Sequence, residues 1–404
     1  MDGYLGWPLA LHLTSLGFDV FGMDNFSRRK NVRLVGSHSA LPILDMEQRL
    51  YFARRKLGAK IQFFQGDLRR YRNALEVVRE SRPDAIVHLG EQPSAPFSMI
   101  DCKHATETQQ NNVIGTLNLL FAIREYAKGA HLVKLGTMGE YGTPNLEIPE
   151  GFFDIDYQGR RDRLPFPRQA GSFYHLSKVH DSANIALACK IWGLISTDIM
   201  QGVVYGSRTE ELSDDRLLTR FDFDQVFGTV VNRFCAQAVI GYPLTPYGQG
   251  GQKRGFIGLV DSIQCLTIAL QNPPRTGEYR VFNQLDEVYG INELAEHVKT
   301  VADTMNIDVE IRPVENPRVE AEEHFYEVEH ERLRKLGFRP TRSLDEELGI
   351  ILGDLLKFKS RILAKKQVIA PTITWRGQKM AAPIIPEKTR SIEVPEQMAR
   401  SSIT

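Results

Sequence analysis

Short apolar runs recur along the first half of the chain, at residues 18–23, 61–65, 85–89, 131–135 and 194–200. Each ends on a polar or glycine-rich step: Asp24, Gly66-Asp67, Gly90, Gly136-Thr137 and Gln201-Gly202. Between them, residues 8–16, 46–57, 68–80, 106–126 and 172–192 carry apolar positions at the three-to-four spacing of helices. Strand and helix in alternation predict an α/β fold built on a doubly wound, Rossmann-type parallel sheet. Ligands of such sheets bind beyond the carboxyl ends of the strands, where the polar and glycine residues gather.

The rhythm changes near residue 203. A charged loop (207–220), a helical pattern (225–240), a glycine-rich turn (247–251) and mixed later segments predict a smaller mixed α/β domain that closes over the cleft. The expected division is a sheet domain at 1–202 and 255–272, a substrate domain at 203–254 and 273–373, and a C-terminal arm or disordered tail at 374–404.

Composition narrows the function classes. Fifty basic and fifty acidic residues leave a formal net charge of zero, so no global field draws nucleic acid or an anionic membrane. An anionic substrate would have to be met by a few local arginines. Without an apolar run of about 18 residues or a basic, apolar leader at Met1, neither a spanning helix nor a signal peptide is expected. Cys102, Cys189, Cys235 and Cys265 are dispersed, which suits buried thiols in a reducing cytoplasm and gives no support to a metal site.

Met1-Asp2-Gly3-Tyr4-Leu5-Gly6 leads into a helical pattern with Pro8 in its first turn. Gly3 and Gly6 read as the last two-thirds of a Gly-x-x-Gly-x-x-Gly pyrophosphate loop, where missing side chains let backbone amides approach phosphates. The strand that normally precedes this loop is absent, so the sheet is expected to lack its first strand. Asp24, 18 residues beyond Gly6, stands where a carboxylate accepts from adenosine ribose hydroxyls, which favours NAD over NADP. Arg28 and Arg29 just beyond keep a 2′-phosphate from being excluded. Asp67 suits an adenine contact, or equally a helix cap. Asn25, Leu89, Gln92, Asn111 and Val204 are further candidate cofactor contacts.

Tyr174-His175-Leu176-Ser177-Lys178 fits a Tyr-x-x-x-Lys dyad. Residues four apart share one helix face, so phenol and ammonium can enter one cleft. The cation is expected to lower the phenol pKa from ~10 toward working pH, making Tyr174 an acid/base for a sugar hydroxyl. Lys178 can also hold a nicotinamide ribose.

Longer strings carry a resemblance. They are Gly90-Glu91-Gln92-Pro93-Ser94-Ala95-Pro96-Phe97-Ser98-Met99-Ile100-Asp101, Lys134-Leu135-Gly136-Thr137-Met138-Gly139-Glu140-Tyr141-Gly142, the segment around Tyr174, Gln201-Gly202-Val203-Val204-Tyr205-Gly206 and Asn316-Pro317-Arg318 with its acidic continuation. From Met1 to about Arg376 the chain resembles the UDP-sulfoquinovose synthases, a family of extended short-chain dehydrogenase/reductases. The resemblance implies bound NAD, UDP-glucose and sulfite as substrates, and a 4-keto intermediate. It makes Tyr174 the base at the C4 hydroxyl and Thr137 the donor to the C4 oxygen. Dehydratases of this superfamily follow that Thr with an Asp-Glu pair, but here Met138-Gly139 intervene before Glu140. Glu140 and His175 are therefore both candidates for moving the C5 proton and the C6 hydroxyl.

For the UDP diphosphate, Arg254 and Arg318 are the best candidates, with Gln201, Asn232 and Arg233 as weaker ones. The family commonly has Arg where this chain has Pro93, which offers no donor, so weakened sulfite handling or compensation by a cation such as Arg233 is expected. Rival readings are a UDP-glucose 4-epimerase, which would act without sulfite, and a non-catalytic dinucleotide-binding protein. A homodimer through the helices at 106–126 and 172–192 is expected.

Overall fold

The computed structural model describes residues 1–321 and 324–376. Its strands are β1 (Val20–Asp24), β2 (Ile61–Gln65), β3 (Ala85–His88), β4 (His131–Leu135), β5 (Phe152–Tyr157), β6 (Arg160–Pro165), β7 (Ile195–Gln201), β8 (Val203–Tyr205), β9 (Lys253–Gly258), β10 (Tyr279–Gln284) and β11 (Glu287–Gly290). Four of them form a parallel sheet in the order β10-β7-β4-β3, and β1 and β2 make a separate parallel pair. Among the described residues no strand joins β1 to β3, in line with the expectation of a sheet without its first strand. A mixed sheet β11-β9-β8 and the hairpin β5-β6 complete the set.

Helices follow the strands as the sequence spacing predicts, and local chemistry fixes their ends. Ser172 accepts from the His175 amide at 3.2 Å to start helix Phe173–Trp192, and Gly193 at φ 69° ends it. Asp45 caps helix Met46–Leu57 in the same way, and Gly58 closes it. Two expected helices begin late because carboxylates capture the preceding amides. Asp67 Oδ1 accepts from Arg69 N at 2.9 Å, so that helix starts only at Tyr71. Asp224 Oδ1 accepts from Val226 N and Phe227 N, and the pattern at 225–240 contracts to helix Val230–Val239. Residues 102–126 form one run in which a π-helical turn, Gln110–Ile114, joins helices Cys102–Gln109 and Gly115–Tyr126.

Two apolar cores flank the cleft. One packs helix Gly6–Ser15 and helix Leu259–Gln271 against the sheet through Leu9, Val133, Ile199, Ile263 and Leu266. The other gathers Phe221, Phe223, Phe234, Leu294, Val298, Leu348 and Ile351 beyond β7. The C-terminal segment departs from expectation at its start. Trp375 N donates to Pro317 O at 2.9 Å and Ile373 packs beside Phe97 and Phe227, so residues 374–376 are docked. The remainder of the expected arm or tail, from residue 377, lies outside the described residues.

The start of the chain is pinned by charge. The Met1 ammonium donates to Met23 O at 2.9 Å and to Asp24 Oδ2 at 2.8 Å, and its side chain lies where a Cβ on Gly22 would stand. Asp2, which is 2% exposed, accepts from Arg29 Nε at 2.5 Å and from the fully buried Arg49 Nη1 at 2.7 Å. Arg49 also stacks over Trp7 at 4.2 Å, and burial pushes its guanidinium down to about 10 against the pull of Asp2. We predict that Asp2→Ala strands the Arg49 charge and costs about 3–5 kcal/mol in urea unfolding. A loss below about 1 kcal/mol would show the pair to be dispensable.

Candidate active site

A cavity of about 610 Å³ opens at the carboxyl ends of the parallel strands, between the two cores. Thr137 reaches it from the end of β4. Gly136 must be glycine there, because a Cβ would sit 2.7 Å from Asp198 Oδ1 and 3.1 Å from Ile199 O. Thr137 Oγ1 accepts from Gly139 N at 3.2 Å and closes a tight turn over Met138–Glu140. Tyr174 enters from the first turn of helix Phe173–Trp192, its amide held by Ser98 Oγ at 3.0 Å. One turn later, Lys178 Nζ donates to Leu135 O at 2.6 Å and lies 5.9 Å from the Tyr174 ring centre. Thr137, Tyr174, His175 and Lys178 all face the cavity.

The expected acidification of the phenol is not present in this state. Burial pushes Tyr174 well above its ordinary value, while a hydrogen bond with Thr137 and the charge of Arg28 pull only partly the other way. Lys178 spends its charge elsewhere, in an ion pair with Glu91, whose carboxylate also lies 3.3 Å from His88 Nε2. Burial pulls the Lys178 ammonium down, opposed by Asp181 and Asp198. Glu91 was not singled out by the sequence reading. Its signal was available: it follows Gly90 at the end of β3, one of the strand ends where such folds bind ligands.

The two proton-moving candidates separate. Glu140 is fully buried and faces away from the cavity, paired with Lys134 at 3.1 Å, with Arg168, and with Ser182 Oγ at 3.0 Å. The turn capped by Thr137 directs it behind β4, so it does not line the site as expected. His175 does. Its Nδ1 contacts Ser172 Oγ at 3.0 Å, and its ring lies against Gly139, where any Cβ would collide with it. Burial, helped by Arg318 and Arg254, lowers the imidazole to about 3, so it is neutral at working pH.

On the cofactor side, Gly3, Gly6, Asp24, Asn25, Arg28, Leu89, Asn111 and Val204 line the cavity. Arg29, Asp67 and Gln92 do not. Arg29 is taken by Asp2, and Asp67 by Arg69. Gln92 is buried against Thr108 and Asn112 and supports the loop from below. The amides that open helix Gly6–Ser15 have no side-chain cap and no acidic residue in the first turn, which fits an incoming diphosphate. Burial would raise the Asp24 carboxyl, but the Met1 ammonium and the Phe26 and Asp2 amides outweigh it and keep the group ionised. Arg28 is held by Asp222 at 2.8 Å, so a 2′-phosphate would meet a guanidinium already paired. The residues present fit NAD.

On the substrate side, Gln201, Asn232, Arg233, Arg254 and Arg318 all line the cavity. Gln201 Nε2 donates to Ser262 Oγ at 2.9 Å and Gln284 Oε1 at 3.0 Å. Asn232 joins Gly206 N to Tyr4 Oη. Arg233 donates to Tyr247 Oη and Thr245 O, Arg254 pairs with Glu320, and Arg318 stacks on Trp375.

Residues 1–283 match the model of the NAD dependent epimerase/dehydratase family. UDP-sulfoquinovose synthase of Sulfolobus acidocaldarius is 49% identical over 93% of this chain and 96% of its own length. The chloroplastic enzyme of Spinacia oleracea is also 49% identical, over 93% of this chain and 78% of its own. The chain belongs to the UDP-sulfoquinovose synthases. NAD is its cofactor. Solved structures show the same fold: UDP-glucose 4-epimerase of Thermotoga maritima with UDP-glucose aligns at TM-score 0.67 and 19% identity, covering 88% of this chain and 96% of that one. UDP-glucuronic acid 4-epimerase of Bacillus cereus, with UDP-glucuronic acid and NAD, gives 0.65 and 18% over 88% and 97%. The epimerase rival is thus a distant relation and the non-catalytic rival falls away.

Absence of a side chain at position 139 distinguishes this synthase site from the Asp-Glu pattern of dehydratases. We predict that Gly139→Ala displaces the His175 ring and lowers kcat by about 10²-fold or more, with NAD binding retained. Wild-type turnover in that variant would show that the ring has room to move.

Proposed function

We infer that this protein converts UDP-glucose and sulfite to UDP-sulfoquinovose through a 4-keto sugar. The observation that carries this reading is 49% identity over 96% of an archaeal UDP-sulfoquinovose synthase. The gathering of Thr137, Tyr174 and Lys178 in one cavity supports it. Bound NAD supplies the hydride acceptor and donor, so the sequence of steps is redox-neutral.

The roles of the side chains are proposed from their positions. Tyr174 takes the C4 hydroxyl proton and later returns it. Lys178 provides the positive charge that stabilises the phenolate, and this requires Glu91 to release part of its hold. Thr137 donates to the C4 oxygen. The ketone acidifies C5–H; loss of that proton and of the C6 hydroxyl as water leaves a conjugated alkene. Sulfite sulfur then bonds to C6 while C5 regains a proton. Of the two candidates for these transfers, His175 is favoured, because its neutral ring borders the cavity and Glu140 is enclosed. Arg254, Arg318 and Arg233 offer the cations for the diphosphate, with Gln201 and Asn232 beside them.

We further propose that residues 203–254 and 273–373 act as the substrate-binding unit, a division supported by an apolar core drawn mostly from them, to which Ala40, Leu41 and Phe256 also contribute. A homodimer through residues 106–126 and 172–192 is supported by exposed Ile114, Phe121, Phe173, Leu176, Leu187 and Ile191. A monomeric mass by light scattering would refute it. No helix of the described residues is long and apolar enough to cross a membrane. A cytoplasmic site is supported by four free cysteines.

Anion-exchange analysis of nucleotide sugars tests the reaction. A sulfonated product should form only with sulfite, and Tyr174→Phe should slow it about 10²–10⁴-fold. UDP-galactose formed without sulfite would favour the epimerase. Pro93 lines the cavity where the family commonly has Arg. Pro93→Arg is expected to lower the apparent KM for sulfite by at least about tenfold, the worth of one hydrogen bond to a charged group. An unchanged KM would remove sulfite from that position.

A further inference from the structure

Residues 371–376 cross one end of the cavity as a strap. Thr372 N donates to Gln225 Oε1 at 2.6 Å, and Gln225 Nε2 returns a bond to Thr372 Oγ1 at 2.9 Å. Trp375 N donates to Pro317 O at 2.9 Å. The Trp375 ring lies beside Gly171, where an added Cβ would be 3.8 Å away. Gln225, Gly171, Arg318 and Trp375 all line the cavity, so the strap touches three of its walls.

Arg318 differs from the other two arginines there. Arg254 is paired with Glu320, and Arg233 donates to Tyr247 and Thr245. The Arg318 guanidinium makes no ion pair and no hydrogen bond among the described residues. What it has is the Trp375 ring, 5.3 Å from its central carbon. A guanidinium stacked on an aromatic face keeps its N–H groups in its own plane, free for an anion. The Glu320 carboxylate supports its charge from a distance but makes its ion-pair contact with Arg254, so an anionic ligand has no direct partner of Arg318 to displace.

We propose that Trp375 is a positioning residue of the substrate site. Its ring holds the Arg318 guanidinium toward the diphosphate of the nucleotide sugar, and the strap that carries it closes this end of the cavity. The inference rests on the UDP-sugar reading above and adds a residue that the sequence pattern had left in an arm or disordered tail.

The test is a binding cycle on full-length, NAD-loaded protein, with Kd for UDP-glucose measured by calorimetry. Trp375→Ala should weaken binding on the order of tenfold, and Trp375→Phe should restore it to within about threefold. Trp375→Leu, which keeps apolar bulk without a π face, should behave as the Ala variant does and covers the case in which Ala unsettles the strap. Arg318→Ala should weaken binding as well, and the double variant with Trp375→Ala should be no weaker than Arg318→Ala alone. In turnover, Trp375→Ala should raise KM for UDP-glucose and leave kcat nearly unchanged. Wild-type affinity in the Leu variant, or losses that multiply in the double variant, would overturn the proposal. If wild-type protein binds UDP-glucose but forms no sulfonated sugar, the reaction fails while the binding cycle still decides the role of Trp375.

Discussion

One bond organises the reacting centre: the Lys178 ammonium on the Leu135 carbonyl at the end of β4. It joins the first turns of helix Phe173–Trp192 to the strand whose next residues are Gly136 and Thr137. Phenol, hydroxyl and amine therefore share a cavity whichever way the outer loops settle. A lysine in this place is costly, because burial disfavours its charge. Glu91, Asp181 and Asp198 around it offset that cost.

Beneath this centre lies a second layer of charge. Lys134 sits one residue before the end of β4 with no exposure, between Glu140 and Asp198, and also reaches the Lys178 carbonyl at 3.3 Å. Arg168, Ser182 and Tyr279 complete the set around the two carboxylates. Such a network is weak evidence for stability, since apolar residues of equal volume would serve as well. Its effect is geometric. It fixes the backbone on which Thr137 and Lys178 stand, and it explains why Glu140, close to Thr137 in sequence, is withdrawn from the chemistry.

Strand and helix order was legible because the apolar spacing is regular and each strand ends in glycine or a carboxylate. Residues 61–65 and 131–135 were bounded to the residue as β2 and β4. Errors arose where one polar side chain competes with a helix for backbone amides, as Asp67 and Asp224 do. Of the site, the Tyr174–Lys178 pair could be read from local spacing, and Thr137 from its place at a strand end together with the family resemblance. Partners distant in sequence could not: Glu91 lies 87 positions before Lys178, and Trp375 lies 57 after Arg318. No periodicity reports such meetings. The phenol was misjudged for the same reason, because spacing reveals the nearby amine but neither its counter-ion nor the depth of burial.

Among the described residues, Glu320 pairs with Arg254 and its charge also acts on Arg318, within a chain whose formal charges sum to zero. A dianionic nucleotide approaching from solution therefore senses almost nothing until it is within about one Debye length, ~8 Å at physiological ionic strength. Attraction is confined to the mouth of the pocket. Arrival should be governed by ordinary diffusion, while added salt should shorten the residence of the nucleotide once inside.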